Sequence, residues 1–292
     1  MFKGSIVALI TPMAPDGTLD EAGFENLIDW QIDSGTAGLV PCGTTGESPT
    51  LTHAEHYRMI EVAVAAARKR VPVIAGTGSN STAEAIETTR HARASGADAA
   101  LVVTPYYNKP TQDGLYRHYM AIADAVDLPI VIYNIPGRSV IDMSVDTMAR
   151  LAKHPNIVGV KDSTANLVRP LQIRRRAGTE FNQLSGEDGT AIAFLATGGH
   201  GCISVTANIA PALCAKMHAA WEAGEVAEAI ALQDRLLPLH DALFLESNPA
   251  PVKYGASLLE LCSEFCRLPL APIADTTRHA VRAAMEEVGL LG

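Results

Sequence analysis

The chain has 292 residues, a length that at roughly 150 residues per domain allows one large domain or two smaller ones. Lys plus Arg number 23 and Asp plus Glu 32, a formal charge of −9, while 48% of residues are hydrophobic and 5% aromatic. That apolar content excludes a disordered chain, and the acidic balance, relieved only by the short run Arg174 to Arg176, argues against nucleic acid as a partner.

Short runs of Val, Ile, Leu and Ala recur along the chain, each followed by a longer stretch with helical periodicity, as in βα units with a parallel sheet. The first predicted strand covers 5–11, and Asp20 and Gly35 stand where the cap residues of the following helix belong. The next strands are 38–43, followed by a helix opening at Thr52, and 72–77, followed by one opening at Ser81 and closing at Gly96. Strand 99–105 leads to Thr111 and strand 129–134 to Ser144, both N-cap types. The series ends with 157–161, 181–185 and 202–205. Gly198-Gly199-His200-Gly201 reads as a tight helix-to-strand turn. Most of these runs are apolar on both faces, as buried parallel strands are.

Eight strands are the number that closes a (β/α)8 TIM barrel, and neither GxGxxG nor GxxxxGK[ST] supports an open doubly wound sheet. The expected architecture is therefore α/β, a (β/α)8 barrel over 1–224 with a C-terminal α-helical region over 225–292. That region reads as helices 225–242, 249–262 and 275–288, separated by Pro-containing breaks.

Five scattered cysteines without a CxxC pair suggest neither a disulfide framework nor a zinc ribbon. The apolar N-terminal stretch is too short for a signal-peptide core, and no run approaches the roughly 20 residues that span a bilayer, so a cytoplasmic protein without a membrane partner is expected.

In such a barrel, chemistry sits where strands end at their C-terminal side. Lys161 follows Ile157-Val158-Gly159-Val160, and strand alternation places Ile157, Gly159 and Lys161 on one face. An amine in apolar surroundings loses solvation of its charged form, and the neutral amine is a nucleophile toward carbonyl carbon. The plainer reading is a lysine that reaches water or pairs with Asp162. Tyr133 ends the neighbouring strand within reach of an imine on Lys161, as a proton relay or as a core aromatic. Tyr106 and Tyr107 are adjacent, so their side chains should diverge. Gly43-Thr44-Thr45-Gly46 offers hydroxyls and backbone N–H groups that converge on a carboxylate, or it is a turn. Arg138, after Pro136-Gly137, either clamps a carboxylate or faces solvent. His53-Ala54-Glu55-His56 is not HExxH and no GxSxG elbow is present, so neither a metal nor a serine nucleophile is expected.

Taken in order, Gly4-Ser5-Ile6-Val7-Ala8-Leu9-Ile10-Thr11-Pro12, Gly43-Thr44-Thr45-Gly46-Glu47, Thr104-Pro105-Tyr106-Tyr107-Asn108-Lys109-Pro110, Tyr133-Asn134-Ile135-Pro136-Gly137-Arg138, Gly159-Val160-Lys161-Asp162 and Ser185-Gly186-Glu187-Asp188 resemble the dihydrodipicolinate synthase family. That family lies among the pyruvate-dependent class I aldolases, with N-acetylneuraminate lyase. The resemblance spans essentially the whole chain. It implies condensation of pyruvate with aspartate 4-semialdehyde in lysine biosynthesis, with no metal or organic cofactor, by a homotetramer built as a dimer of dimers. It makes Lys161 the Schiff-base lysine and Tyr133, Thr44 and Tyr107 a proton relay, Tyr107 being contributed across a dimer contact. Thr45 would hold the pyruvate carboxylate and Arg138 the semialdehyde carboxylate, while Gly186 and Ile203 line the site with backbone. Ser48, His53, His56, Asn80, Glu84 and Tyr106 match positions that bind L-lysine as a feedback inhibitor, with Pro49 standing beside them where the family often has Ala.

Three rival readings remain. One is another pyruvate-dependent aldolase acting on a sugar acid, separated only by its acceptor. The second is a barrel that binds a carboxylate without turnover. The third is a metal-dependent barrel hydrolase, which the histidine pattern supports little.

Overall fold

In the computed structural model, which describes residues 2–292, eight parallel strands alternate with helices. In order they are β1 (Gly4–Ala8), α1 (Glu21–Asp33), β2 (Gly38–Val40), α2 (His53–Ala67), β3 (Ile74–Gly76), α3 (Thr82–Ser95), β4 (Ala99–Val103), α4 (Gln112–Ala125) and β5 (Ile130–Asn134). The four-residue α5 (Pro136–Ser139), α6 (Val145–Leu151), β6 (Ile157–Asp162), α7 (Arg169–Ala177), β7 (Asn182–Ser185), α8 (Ala191–Ala196) and β8 (Gly201–Ser204) complete the alternation. Four further helices follow: α9 (Pro211–Glu222), α10 (Val226–Ala242), α11 (Ala250–Leu258) and α12 (Asp275–Glu287).

The strands run β2-β1-β8-β7-β6-β5-β4-β3 across the sheet, and the two ends of that series meet. Leu39 bridges Val73 in parallel, Leu39 N–H donates to the Pro72 carbonyl and Gly76 N–H to the Pro41 carbonyl, each at 2.9 Å. The sheet is thus closed into a TIM barrel with C-terminal helices, which leaves no unpaired strand edge. Among the described residues, no helix is long and apolar enough to cross a membrane.

Local chemistry explains the punctuation. Asp20, Thr52, Ser81, Thr111 and Ser144 are all N-caps, and each side chain accepts from a backbone N–H in the first helical turn. Gly96 ends α3 with φ +91°. Several strands are shorter than the sequence reading, β1 ending at Ala8 and β2 at Val40, and two further differences have a clear local cause. Gly201 belongs to β8, not to the preceding turn, because it pairs with Gly4, whose backbone lies 2.5 Å from where a Cβ would stand. Helix α11 stops at Leu258, short of 262, where Glu260 takes φ +58° and the helix cannot continue.

Two apolar layers hold the barrel. Ile6, Ala8, Val40, Ile74, Leu101, Val131, Leu184 and Ile203 fill its interior, and a larger layer lies between strands and helices. Leu232, Leu236, Val252, Val281 and Met285 of the C-terminal helices belong to that same outer layer.

The β5–β6 pairing departs from strict alternation. Ile130 pairs with Ile157 but Val131 pairs with Gly159, so Val158 is an extra residue in β6. Ile157 consequently packs in the outer layer and Val158 against the inner one, correcting the expectation that Ile157 shares a face with Lys161. Gly159 has no room for a side chain, since a Cβ there would stand 2.3 Å from the Asn182 carbonyl oxygen on β7.

Helix α11 is docked on the barrel by a buried ion pair. Lys253 Nζ donates to Glu47 Oε1 at 2.7 Å and to the Thr11 carbonyl at 3.0 Å, and the Arg267 N–H donates to Glu47 Oε2 at 3.0 Å. Both side chains of the pair are 0% exposed. Removing one partner leaves the other charge buried and uncompensated, so Lys253→Ala should lower unfolding free energy by about 3–5 kcal/mol. Urea unfolding measures it, and a loss below about 1 kcal/mol, typical of an exposed pair, would contradict the assignment.

Candidate active site

The end of β6 buries a lysine. Lys161 is 6% exposed, lies opposite Tyr133 in the β5–β6 register, and holds its Nζ 4.3 Å from the Tyr133 ring centroid. Asp162 points the other way and accepts from Arg169 Nε and the Thr164 N–H, each at 3.0 Å. Of the two readings open for Lys161, pairing with Asp162 is therefore not what the structure has. Among the described residues, no carboxylate forms an ion pair with Lys161. The amine sits at the C-terminal mouth against an aromatic face, free to meet a carbonyl carbon.

Gly186, just beyond β7, borders this lysine closely. A Cβ at Gly186 would stand 1.8 Å from Ser163 Oγ and 3.0 Å from Lys161 Cε, so only a hydrogen fits. Ile203 on β8 is fully buried in the inner layer with Tyr133 and Leu184. Next to Gly186, burial pushes the Glu187 carboxyl above its ordinary value, and the neighbouring Asp188 charge adds to the rise. Asp188 itself is a structural anchor: it accepts from Ser204 Oγ and from the Val205 N–H at 2.9 Å, fixing the loop after β8.

Thr44 and Thr45 lie on the loop after β2. Gly46 N–H donates to the Gly43 carbonyl and Glu47 N–H to the Thr44 carbonyl, each at 3.1 Å. These two N–H groups are occupied within the loop, so the expected convergence of the whole segment on an anion narrows to the Thr44 and Thr45 groups. Thr11 Oγ1 donates to the Gly46 carbonyl at 2.7 Å and pins the loop to β1's end. Thr44 is half-buried and Thr45 buried. Arg138, on the exposed face of α5, reaches the Asn248 carbonyl at 3.3 Å, while Asn248 Nδ2 donates to Thr45 Oγ1 at 3.0 Å. Asn248, Lys253 and Glu47 were not singled out in the sequence as site residues. An Asn-Pro step before a helix carries only a turn signal, and nothing in local spacing says that it folds back onto residue 45.

The two tyrosines after β4 stand apart from this cluster. Tyr106 is 38% exposed and Tyr107 is 89% exposed with φ +68°. A single chain thus brings together Lys161, Tyr133, Gly186 and Ile203, and joins Thr45 to Arg138 through Asn248, while Tyr107 projects into solvent.

A separate cavity of about 170 Å³ is lined by Ser48, Pro49, His53, His56, Glu84 and Tyr106 among others. Five of the six residues matched to a lysine site are here. Asn80 is not in the lining, and its carbonyl accepts from Asn108 Nδ2 at 2.8 Å. His56 places Nε2 2.7 Å from the Gly76 carbonyl, and burial holds its imidazole below the ordinary value, so Nε2–H is the donor and Nδ1 remains available. Glu84 accepts from Ser79 Oγ at 2.7 Å and brings a carboxylate to the cavity.

Known proteins share this fold and sequence. Residues 1–288 match the Dihydrodipicolinate synthetase family. The chain is 68% identical over 291 residues to the 4-hydroxy-tetrahydrodipicolinate synthase of Acidiphilium cryptum (strain JF-5), with 100% of both chains covered. A crystal structure of chloride-inhibited dihydrodipicolinate synthase from Acinetobacter baumannii complexed with pyruvate is similar at a TM-score of 0.97 and 47% identity, covering 100% of each chain. That of the synthase from Cyanidioschyzon merolae with lysine bound is similar at 0.96 and 39%, covering 99% of each.

The contact at Gly186 makes a test. Gly186→Ala forces Ser163 or Lys161 to move by an ångström or more, which should slow reductive labelling of the chain by pyruvate and borohydride by about a hundredfold. Adding Ser163→Gly removes the closest clash and should restore part of the rate. Labelling of Gly186→Ala at the wild-type rate would contradict the packing described.

Proposed function

The chain belongs to the dihydrodipicolinate synthetase family, and from that premise we propose that it condenses pyruvate with L-aspartate 4-semialdehyde through an imine on Lys161, giving 4-hydroxy-tetrahydrodipicolinate in the diaminopimelate route to lysine. The observation that carries the mechanism is the buried Lys161 held against Tyr133 at the barrel mouth.

Lys161 Nζ adds to C2 of pyruvate, and loss of water leaves a protonated imine whose positive charge draws electrons from C3. A proton leaves C3, the resulting enamine forms a C–C bond to the aldehyde carbon, and that oxygen takes up a proton. The semialdehyde's own amine then adds to C2 and displaces Lys161, closing the ring and restoring the enzyme. The iminium is the electron sink, so the cycle needs no metal or organic cofactor. Tyr133 and Thr44 pass protons, with Tyr107 completing the relay from across a subunit contact. The Tyr107 side chain, projecting into solvent from one chain, supports that arrangement, and with it a homotetramer built as a dimer of dimers. Thr45 receives the pyruvate carboxylate, Arg138 that of the semialdehyde, and the Gly186 and Ile203 backbone lines the site. The enzyme acts in the cytoplasm.

The cavity at Glu84 is the feedback site for L-lysine: its carboxylate meets an ammonium group and His56 and Ser48 offer hydrogen bonds. The lysine bound to the Cyanidioschyzon merolae relative supports this reading. Asn80 closes the site from its rim.

Pyruvate consumption should occur with aspartate 4-semialdehyde, not with N-acetylmannosamine, and should vanish in Lys161→Ala. Turnover with the sugar alone would move the chain to the lyase branch. Saturating L-lysine should slow the reaction, and Glu84→Ala should raise the half-inhibiting concentration by about tenfold, the worth of one hydrogen bond to a charged group. A rate indifferent to lysine would refute the effector site.

A further inference from the structure

We propose that Asn248 is a positioning residue that sets the polarity of the Thr45 hydroxyl, an inference resting on the reading that Thr45 binds the pyruvate carboxylate. Asn248 comes from the segment before α11, is 5% exposed, and reaches 203 residues back to place Nδ2 3.0 Å from Thr45 Oγ1. A threonine hydroxyl has one hydrogen and two lone pairs. With an N–H directed at one lone pair, the hydroxyl's only hydrogen is left for a different acceptor. A carboxylate, which accepts and never donates, is the ligand that this arrangement suits. Without the amide, Thr45 is free to turn its hydrogen toward a neighbouring carbonyl and present a lone pair to the anion.

Three contacts hold the amide in place. The Asn248 carbonyl accepts from Arg138 Nη2 at 3.3 Å, so the same residue touches both groups read as carboxylate ligands. A few residues on, Lys253 is locked to Glu47 and to the Thr11 carbonyl, and Glu47 lies on the loop that carries Thr45. Donor and acceptor are therefore fixed to one rigid unit. The amide's other atom, Oδ1, is buried without a hydrogen-bond partner among the described residues.

The distinction between amide and carboxylate gives the experiment. In Asn248→Asp the new carboxylate accepts a hydrogen bond from the Thr45 hydroxyl and repels pyruvate, while the Arg138 contact, made to backbone, persists. The KM for pyruvate should rise by about tenfold or more at pH 8, and the ratio to wild type should shrink as pH falls toward the carboxyl's titration range and a donor O–H returns. The KM for aspartate 4-semialdehyde should change less than threefold. Asn248→Ala should raise the pyruvate KM by about tenfold without the pH dependence, and that effect should disappear in a Thr45→Val background because Asn248 acts through Thr45. A merely structural asparagine would shift kcat and both KM values together, without pH rescue. Pyruvate KM values within twofold of wild type in both variants, or parallel shifts in both substrates, overturn the proposal. Failure of the wild-type chain to consume pyruvate with the semialdehyde would instead remove the reading on which it rests.

Discussion

One extra residue in β6 decides where the lysine points. Ile130 and Ile157 pair with both side chains in the outer layer, and an uninterrupted ladder from there would set Val160 opposite Tyr133 and Lys161 opposite Asn134, on the helix side of the sheet. Val158 takes up one position without a partner, and the ladder resumes with Val131 to Gly159 and Tyr133 to Lys161, both inward. The bulge satisfies two demands that alternation cannot meet together: an apolar Ile157 under the helices and an amine inside the barrel. Gly159 completes the arrangement, because the interior at that level is filled by Asn182 and admits no further side chain.

From that register the division of labour at the mouth follows. Asp162, the residue after the lysine, faces outward and is held by Arg169, so the nearest carboxylate in sequence is kept from neutralising Lys161. The loop after β2 brings Thr44 and Thr45, but it is not self-supporting: its Glu47 is buried and must be matched from elsewhere. Lys253 and the Arg267 backbone supply that match from the C-terminal region, and Asn248 from the same region donates to Thr45. The same Glu47 leads into the turn whose Ser48 and Pro49 line the second cavity, so the loop that carries Thr44 and Thr45 and the proposed effector site share one anchored segment.

Much of this was legible in the chain. The eight apolar runs, the five N-caps and the lysine at a strand end follow from periodicity and from side chains that compete for backbone N–H groups, which are local properties. The motif order also pointed to the family. What was not legible depended on distant partners. The bulge at Val158 leaves no mark in β6 itself, because apolar residues on both faces hide a change of phase. Gly201 read as turn because its strand partner, Gly4, lies at the other end of the barrel chain. Asn248 and Lys253 act across 203 and 206 residues, beyond any spacing rule.

The account turns on which amine meets pyruvate. Incubating the chain with pyruvate, reducing with borohydride and mapping the product by peptide mass spectrometry tests it directly. A single carboxyethyl adduct on Lys161, absent when pyruvate is omitted, is the predicted result. An adduct on Lys253 or on surface lysines, with Lys161 unmodified, would contradict the assignment of the barrel mouth as the reacting centre.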